Sequence, residues 1–161
     1  MQENKPPDTS YNEAHYKAAH FAPVTLTNAR LAEIHAACFP RPWNTPAFKD
    51  VLAGPGVSLL AVEPGFIITR QAADEAEILT LAVLPEARRK GVGRYLLSSA
   101  MQQAHAAGAG VMHLEVAADS TAARRLYEHA GFTRVGCRKG YYAGIDAILM
   151  QSELGTEAGL G

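Results

Sequence analysis

The segment Arg88-Arg89-Lys90-Gly91-Val92-Gly93-Arg94 most restricts how this chain can fold. It follows an apolar run, Ile78 to Leu84, that Pro85 stops, and it opens a stretch with helical periodicity. Its glycines lack Cβ atoms, so the backbone can come close to a ligand. The free N–H groups of a helix start point outward and carry partial positive charge. Four basic side chains, Arg88, Arg89, Lys90 and Arg94, surround them. Backbone amides and cations together suit a pyrophosphate. The spacing is neither the three-glycine nucleotide fingerprint nor the P-loop that ends in Gly-Lys-Ser/Thr. Taken alone, it reads equally well as a solvated basic turn.

The rest of the chain alternates between strands and helices. Asn28 is expected to cap a helix reaching about Ala37, and Thr45 a second one with Pro46 at its first position. Val57–Val62 and Phe66–Thr69 read as strands joined by a turn at Pro64-Gly65. Val92, Leu96, Leu97, Ala100, Met101 and Ala104 share one helix face, and Gly108 suits the end. Val111–Val116 is a strand. Ser120 is placed to cap a helix carrying Ala123, Leu126, Tyr127 and Ala130, closed by Gly131. Val135 and Ala147–Met150 mark further strands. If the strands flanking each of the last two helices share a sheet, right-handed crossovers make them parallel. Residues 1–20, with Pro6 and Pro7, read as a flexible extension and 155–161 as a flexible tail. That leaves one domain over 21–154.

Composition narrows the function classes. Fifteen basic residues nearly cancel sixteen acidic ones, which argues against a broad nucleic-acid footprint. The apolar runs are too short to span a bilayer, and the polar start is not a secretory signal. The cytoplasm is therefore the expected compartment, with Cys38 and Cys137 as free thiols. None of the six histidines stands in a His-Glu-x-x-His pattern, so no metal is expected. Ser98-Ser99 lacks the Gly-x-Ser-x-Gly elbow of a hydrolase.

Two motifs in order carry a family resemblance. Arg88 to Gly93 resembles the Arg/Gln-x-x-Gly-x-Gly/Ala acyl-CoA motif of GNAT acetyltransferases. Leu126-Tyr127-Glu128-His129-Ala130-Gly131-Phe132 resembles that family's Leu-Tyr-x-x-x-Gly-Phe signature. Resemblance extends over roughly residues 24–152. Further features resemble the branch that acetylates the N-terminal alanine of a ribosomal protein: Phe39-Pro40, Pro42-Trp43, Leu81-Ala82-Val83, Leu114-Glu115-Val116, Tyr141-Tyr142 and Asp146 to Met150. The chain departs from that branch in three places. Ser120 replaces an Asn expected to touch the cofactor, Arg41 is inserted, and only Ala143-Gly144-Ile145 separates Tyr142 from Asp146.

The resemblance implies an α/β fold with a mixed, mostly antiparallel sheet flanked by helices and splayed at two central strands, near Val83 and Val116. It implies acetyl-CoA as co-substrate, held by Leu81, Ala82, Val83, Arg88, Arg89, Lys90, Gly91, Val92, Gly93, Arg94 and Ser120. Acetyl transfer would then be direct, to the peptide N-terminus of a ribosomal protein.

Glu115 and Tyr127 are the expected catalytic residues. Met112, Leu114 and Val116 form one face of their strand, and Val111, His113 and Glu115 the other. A carboxylate inside a covered sheet is costly unless hydrated, paired or used. An α-ammonium, with a pKa of roughly 7.7–8.0, must lose a proton before it attacks a thioester. In the resembling branch Glu115 takes that proton, and Tyr127 returns one to the departing thiolate. The structural alternatives are an exposed strand end for Glu115 and a core aromatic for Tyr127. Trp43 fits either a peptide groove or the core edge, and Tyr141 and Tyr142 are groove candidates. Rival functions are acetylation of a lysine side chain or small amine, and a non-catalytic acyl-CoA-binding module. The pairing of Glu115 with Tyr127 argues against the last.

Overall fold

The computed structural model describes residues 21–155; the expected extension, 1–20, and nearly all of the expected tail lie outside the described residues. Within them, helices α1 (Asn28–Cys38) and α2 (Thr45–Leu52) precede strands β1 (Val57–Val62), β2 (Gly65–Ala72) and β3 (Glu75–Val83). A 3-10 turn (Pro85–Ala87), α3 (Val92–Ala106), β4 (Val111–Ala117), α4 (Thr121–His129), β5 (Thr133–Tyr142) and β6 (Ile145–Glu153) follow. None of these helices is long and apolar enough to cross a membrane.

Both N-terminal caps sit one residue earlier than the sequence suggested. Thr27 caps α1 by accepting from the Arg30 amide at 3.1 Å, so Asn28 is already helical. Asn44 caps α2 by accepting from Ala47 at 3.0 Å, which makes Thr45 the first helical residue. In each case the neighbouring side chain is also a good cap, and local geometry decides between them.

The six strands run β1-β2-β3-β4-β6-β5 in one sheet, antiparallel except for β3 with β4. The crossover through α3 gives the expected parallel neighbours. The crossover through α4 does not, because β6 returns between β4 and β5 and pairs antiparallel with both. Two cores result. On one side α3 and α4 pack Leu96, Leu97, Met101 and Tyr127 against Ile67, Met112, Leu114 and Met150. On the other, α1 and α2 pack Leu31, Ile34 and Phe48 against Phe66, Ile68 and Ala82.

The β3–β4 pair is short. Only Glu75, Ala76 and Glu77 pair across, with Val111, Met112 and His113. Beyond them the strands diverge, which is the expected splay. A bulge sits just past the last pair: Ile78 pairs with Thr69 and Thr80 with Ile68, leaving Leu79 without a partner. The extra residue reverses the side-chain alternation. Ala76 and Ile78 face the α3 core, whereas Ala82 belongs to the α1 core and Thr80 meets His35 of α1.

Candidate active site

The basic loop folds as an anion cradle. The first intrahelical bond of α3 runs from the Tyr95 amide to the Gly91 carbonyl at 3.0 Å, so the amides before Tyr95 lack a helical acceptor. Gly91, the N-cap, has φ +84°, a conformation that costs glycine little. Arg89 is also left-handed, at φ +65°. Arg88, Arg89, Lys90 and Arg94 are exposed, and none forms an ion pair with a carboxylate among the described residues. Concentrated positive charge with free amides fits a pyrophosphate.

The loop residues divide their labour. Val92 turns its side chain into the core, which leaves only its amide for a ligand. Gly93 serves packing, because a Cβ there would come within 3.3 Å of Leu126 Cδ2. Arg88 donates through Nε to the Val83 carbonyl at 3.2 Å, and the Cys38 thiol donates to the same oxygen at 3.3 Å. That carbonyl lies past the end of β4 pairing and is satisfied from the loop and from α1 instead. Ala82 is buried, whereas Leu81 and Val83 are half-buried along the splayed edge. Ser120 holds the N-cap position of α4, yet its hydroxyl makes no capping bond. A cavity of about 240 Å³ extends the loop region between α3 and α4, lined by Arg94, Leu97, Ser98, Leu126, His129 and Ala130.

Glu115 lies on the other face of the sheet from α3 and α4, near the C-terminal end of β4. It is neither in open solvent nor unpaired. Its side chain is 25% exposed, and its Oε1 is 3.2 Å from Nη2 of Arg138. Arg138 was not expected from the sequence, where it is one basic residue on a polar edge strand. Its guanidinium also lies over the Tyr141 ring, 5.5 Å from the centroid. Tyr141 in turn meets Tyr142 edge-on at 5.0 Å.

The Tyr142 and Tyr127 phenols are held protonated. Burial raises the Tyr142 pKa, with further upward pushes from Glu115 and Tyr141, against the pull of Arg138. Tyr127, 7% exposed, is raised well above the usual phenol range by burial first and by Tyr142 second. Its ring packs edge-on against Phe132. Tyr127 is thus a core aromatic whose phenol stays protonated. Tyr142 acts electrostatically on Tyr127 and feels Glu115, and Arg138 stands beside Glu115.

A tight turn explains the short hairpin after Tyr142. Ala143 and Gly144 both have positive φ, as in a two-residue type I′ turn. The β5 register slips between Arg138 and Tyr142, and the Asp146 carboxylate pins the bulged segment by accepting from the Gly140 amide at 2.9 Å.

Trp43 packs at the core edge. It stacks on His35 with centroids 5.0 Å apart and meets Phe48 edge-on. His113 shares the Glu115 face but points its Nε2 at Glu75, 3.6 Å away. Cys38 and Cys137 are unpaired and half-buried. Among the described residues, no group of three or more His, Cys, Asp or Glu could hold a metal ion.

Comparison with known proteins agrees with this geometry. A family profile described as "Acetyltransferase (GNAT) family" matches residues 28–132. N-alpha-acetyltransferase RimI of Mycobacterium tuberculosis is 36% identical over 83% of this chain and 94% of its own length. The [ribosomal protein bS18]-alanine N-acetyltransferase of Escherichia coli K12 is 38% identical over 68% of this chain and 79% of its own. A crystal structure of the Escherichia coli ribosomal-protein-S18-alanine N-acetyltransferase superposes with a TM-score of 0.76 at 28% identity. That superposition covers 84% of this chain and 94% of the other.

Proposed function

The chain belongs to the GNAT family and is an acetyl-CoA-dependent N-acetyltransferase, and from that premise we propose that its acceptor is the α-amino group of an N-terminal alanine on a ribosomal protein. Relatives named for that acceptor, matched across most of their length, support the reading. The observation that carries the chemistry is the placement of Glu115, which lies on the diverging part of β4 and is partly exposed while Tyr127 stays buried and protonated. The acetyltransferase unit is taken to run over residues 21–154, and the cytoplasm, where ribosomal proteins are made, is the compartment this acceptor implies.

The residues present suit acetyl-CoA, which supplies a thioester-activated acetyl group. The amides before Tyr95 and the cations Arg89, Lys90 and Arg94 would hold its pyrophosphate. The edge of Leu81 to Val83 that faces away from β2 has no β4 partner, lies along the splay and would take its pantetheine arm. Tyr141 and Tyr142, exposed beside Glu115, would flank the peptide, whereas Trp43 would shape the groove from beneath. Glu115, directly or through one water, accepts the proton of the peptide ammonium and so frees the amine lone pair. Tyr127 gives its proton to the departing sulfur, and its raised pKa ensures that the proton is present.

A peptide panel tests the acceptor. Peptides that vary only in their first residue are incubated with acetyl-CoA, and products are scored by mass and by free thiol. Alanine at the first position should be preferred. A peptide blocked at its α-amino group but carrying a lysine should not react. Equal acetylation of that blocked peptide would assign the enzyme to lysine side chains instead.

A further inference from the structure

The base proposed for this enzyme carries a liability. A carboxylate that can deprotonate an amine beside a thioester can also deprotonate water. In that side reaction the water oxygen bonds to the thioester carbonyl carbon and the C–S bond breaks. Glu115 takes a proton from the water, and the thiolate takes one from Tyr127. The products are acetic acid and free coenzyme A, and both side chains recover their protonation by exchange with solvent. An acetyltransferase waiting for its acceptor would spend acetyl-CoA in this way.

Glu115 is not waiting alone, however. Its Oε1 forms an ion pair with Nη2 of Arg138, 3.2 Å away, and the same guanidinium lies over the Tyr141 ring. Arg138 reaches it across β6, from a β5 position paired with Ala147. Among the described residues no other salt bridge reaches Glu115, since His113 is turned to Glu75, and the Asp146 carboxylate accepts from the Gly140 amide rather than from Arg138. Arg138 is itself 54% exposed, so displacing it costs little burial. An incoming α-ammonium is also a cation and a hydrogen-bond donor. It can replace the guanidinium at the carboxylate charge for charge, which neutral water cannot do.

We propose that Arg138 is a positioning residue that keeps Glu115 engaged until an acceptor ammonium displaces it, and that it thereby suppresses hydrolysis of acetyl-CoA. The proposal rests on Glu115 being the base. It makes the enzyme selective for cationic amines over water without any further pocket.

The test measures thiol release from saturating acetyl-CoA with no peptide present. A partly exposed pair restrains its carboxylate only modestly, so Arg138→Gln should raise hydrolysis by about two- to fivefold. Arg138→Lys, which keeps the charge, should stay near the wild-type rate. The double variant Glu115→Gln/Arg138→Gln should lose the increase. Raising the salt concentration should screen the pair and speed hydrolysis by the wild type, with little effect on Arg138→Gln. An unchanged rate in Arg138→Gln, or an increase that survives in the double variant, overturns the proposal. If Arg138→Gln fails to fold, a salt-independent wild-type rate overturns it equally. Glu115→Gln alone, assayed with an alanine peptide, tests the underlying reading separately: full transfer there removes the base, whereas lost transfer with unaltered hydrolysis in Arg138→Gln removes only the gate.

Discussion

Nε2 of His35 lies 3.2 Å from the hydroxyl of Thr80, and this pair ties α1 to β3 immediately past the bulge at Leu79. The other ring nitrogen, Nδ1, accepts from the Trp43 amide at 3.0 Å, which assigns the imidazole proton to Nε2. The ring is 4% exposed and surrounded by Phe39, Trp43, Phe48 and Phe66. The neutral form therefore satisfies both neighbours, and the charged form has nowhere to be hydrated.

The pH dependence of stability follows from this setting. Desolvation lowers the His35 pKa from 6.5 to about 4. Between those values the unfolded chain binds the proton and the folded one does not, so stability rises with pH. The contribution of His35 is fully present above pH 6.5 and is lost as pH falls toward 4. Urea midpoints measured at pH 7 and pH 4.5 should fall with acid in the wild type. In His35→Phe the midpoint should be lower at pH 7, because the two stranded partners cost about 1–3 kcal/mol of unfolding free energy. Its decline with acid should be shallower. Parallel declines in the two proteins would place the acid sensitivity elsewhere.

The glycines of the basic loop should separate by experiment. Gly91 needs its positive φ to start α3, whereas a Cβ at Gly93 would press on Leu126 Cδ2 at 3.3 Å. Gly91→Val strains the turn that presents the free amides, so calorimetry should show weaker acetyl-CoA binding by a protein with native circular dichroism. Gly93→Ala should lower thermal stability first, because Leu126 or α3 must yield. Unchanged affinity in a folded Gly91→Val protein would return the loop to a solvated basic turn.

Much of this site could be read from the chain because its parts are marked by residue type and spacing. Glycines at 91 and 93 among four cations, a carboxylate on an apolar strand and a tyrosine on the following helix each signal a local chemistry. What escaped depended on pairing between distant segments. The bulge at Leu79 has no signature in a run of Ile, Leu and Thr, since only the register against β2 creates it. β5 is polar and exposed along most of its length, so its reach from Thr133 to Tyr142 was hidden and Arg138 with it. The insertion of β6 between β4 and β5 is likewise a matter of topology. Trp43 was ambiguous because its partner, His35, is an unusual residue to find at the centre of an aromatic cluster.

Tyr127→Phe isolates the proton donor. The ring and its contact with Phe132 remain, so the fold and acetyl-CoA affinity should change little. The turnover number should fall by about a hundredfold or more if the hydroxyl protonates the leaving thiolate. Because burial holds the phenol well above its ordinary range, the wild type should show no loss of activity from Tyr127 ionisation at moderately alkaline pH. Wild-type turnover in the Phe variant would reduce Tyr127 to its packing role.

Glu115→Gln tests the other half of the proton transfer. The substitution keeps the shape of the side chain but removes the proton acceptor, and it also leaves Arg138 without its anion. Acetyl-CoA affinity should be retained, since the cofactor cradle lies across the sheet at the α3 start. Turnover of an alanine-initiated peptide near neutral pH should fall by about a hundredfold or more. The size of that defect should depend on pH. The acceptor amine has a pKa of roughly 7.7–8.0, so below that range the enzyme must remove a proton and above it much of the amine arrives neutral. The variant should therefore recover in part between pH 7 and pH 9, while the wild type changes less. A residue that merely oriented the peptide would give a loss that persists across that range. Log kcat/KM for both proteins, measured at half-unit steps with the same peptide, distinguishes the two. Parallel profiles would take Glu115 out of the base role and leave Arg138 as the counter-ion of a substrate-binding carboxylate.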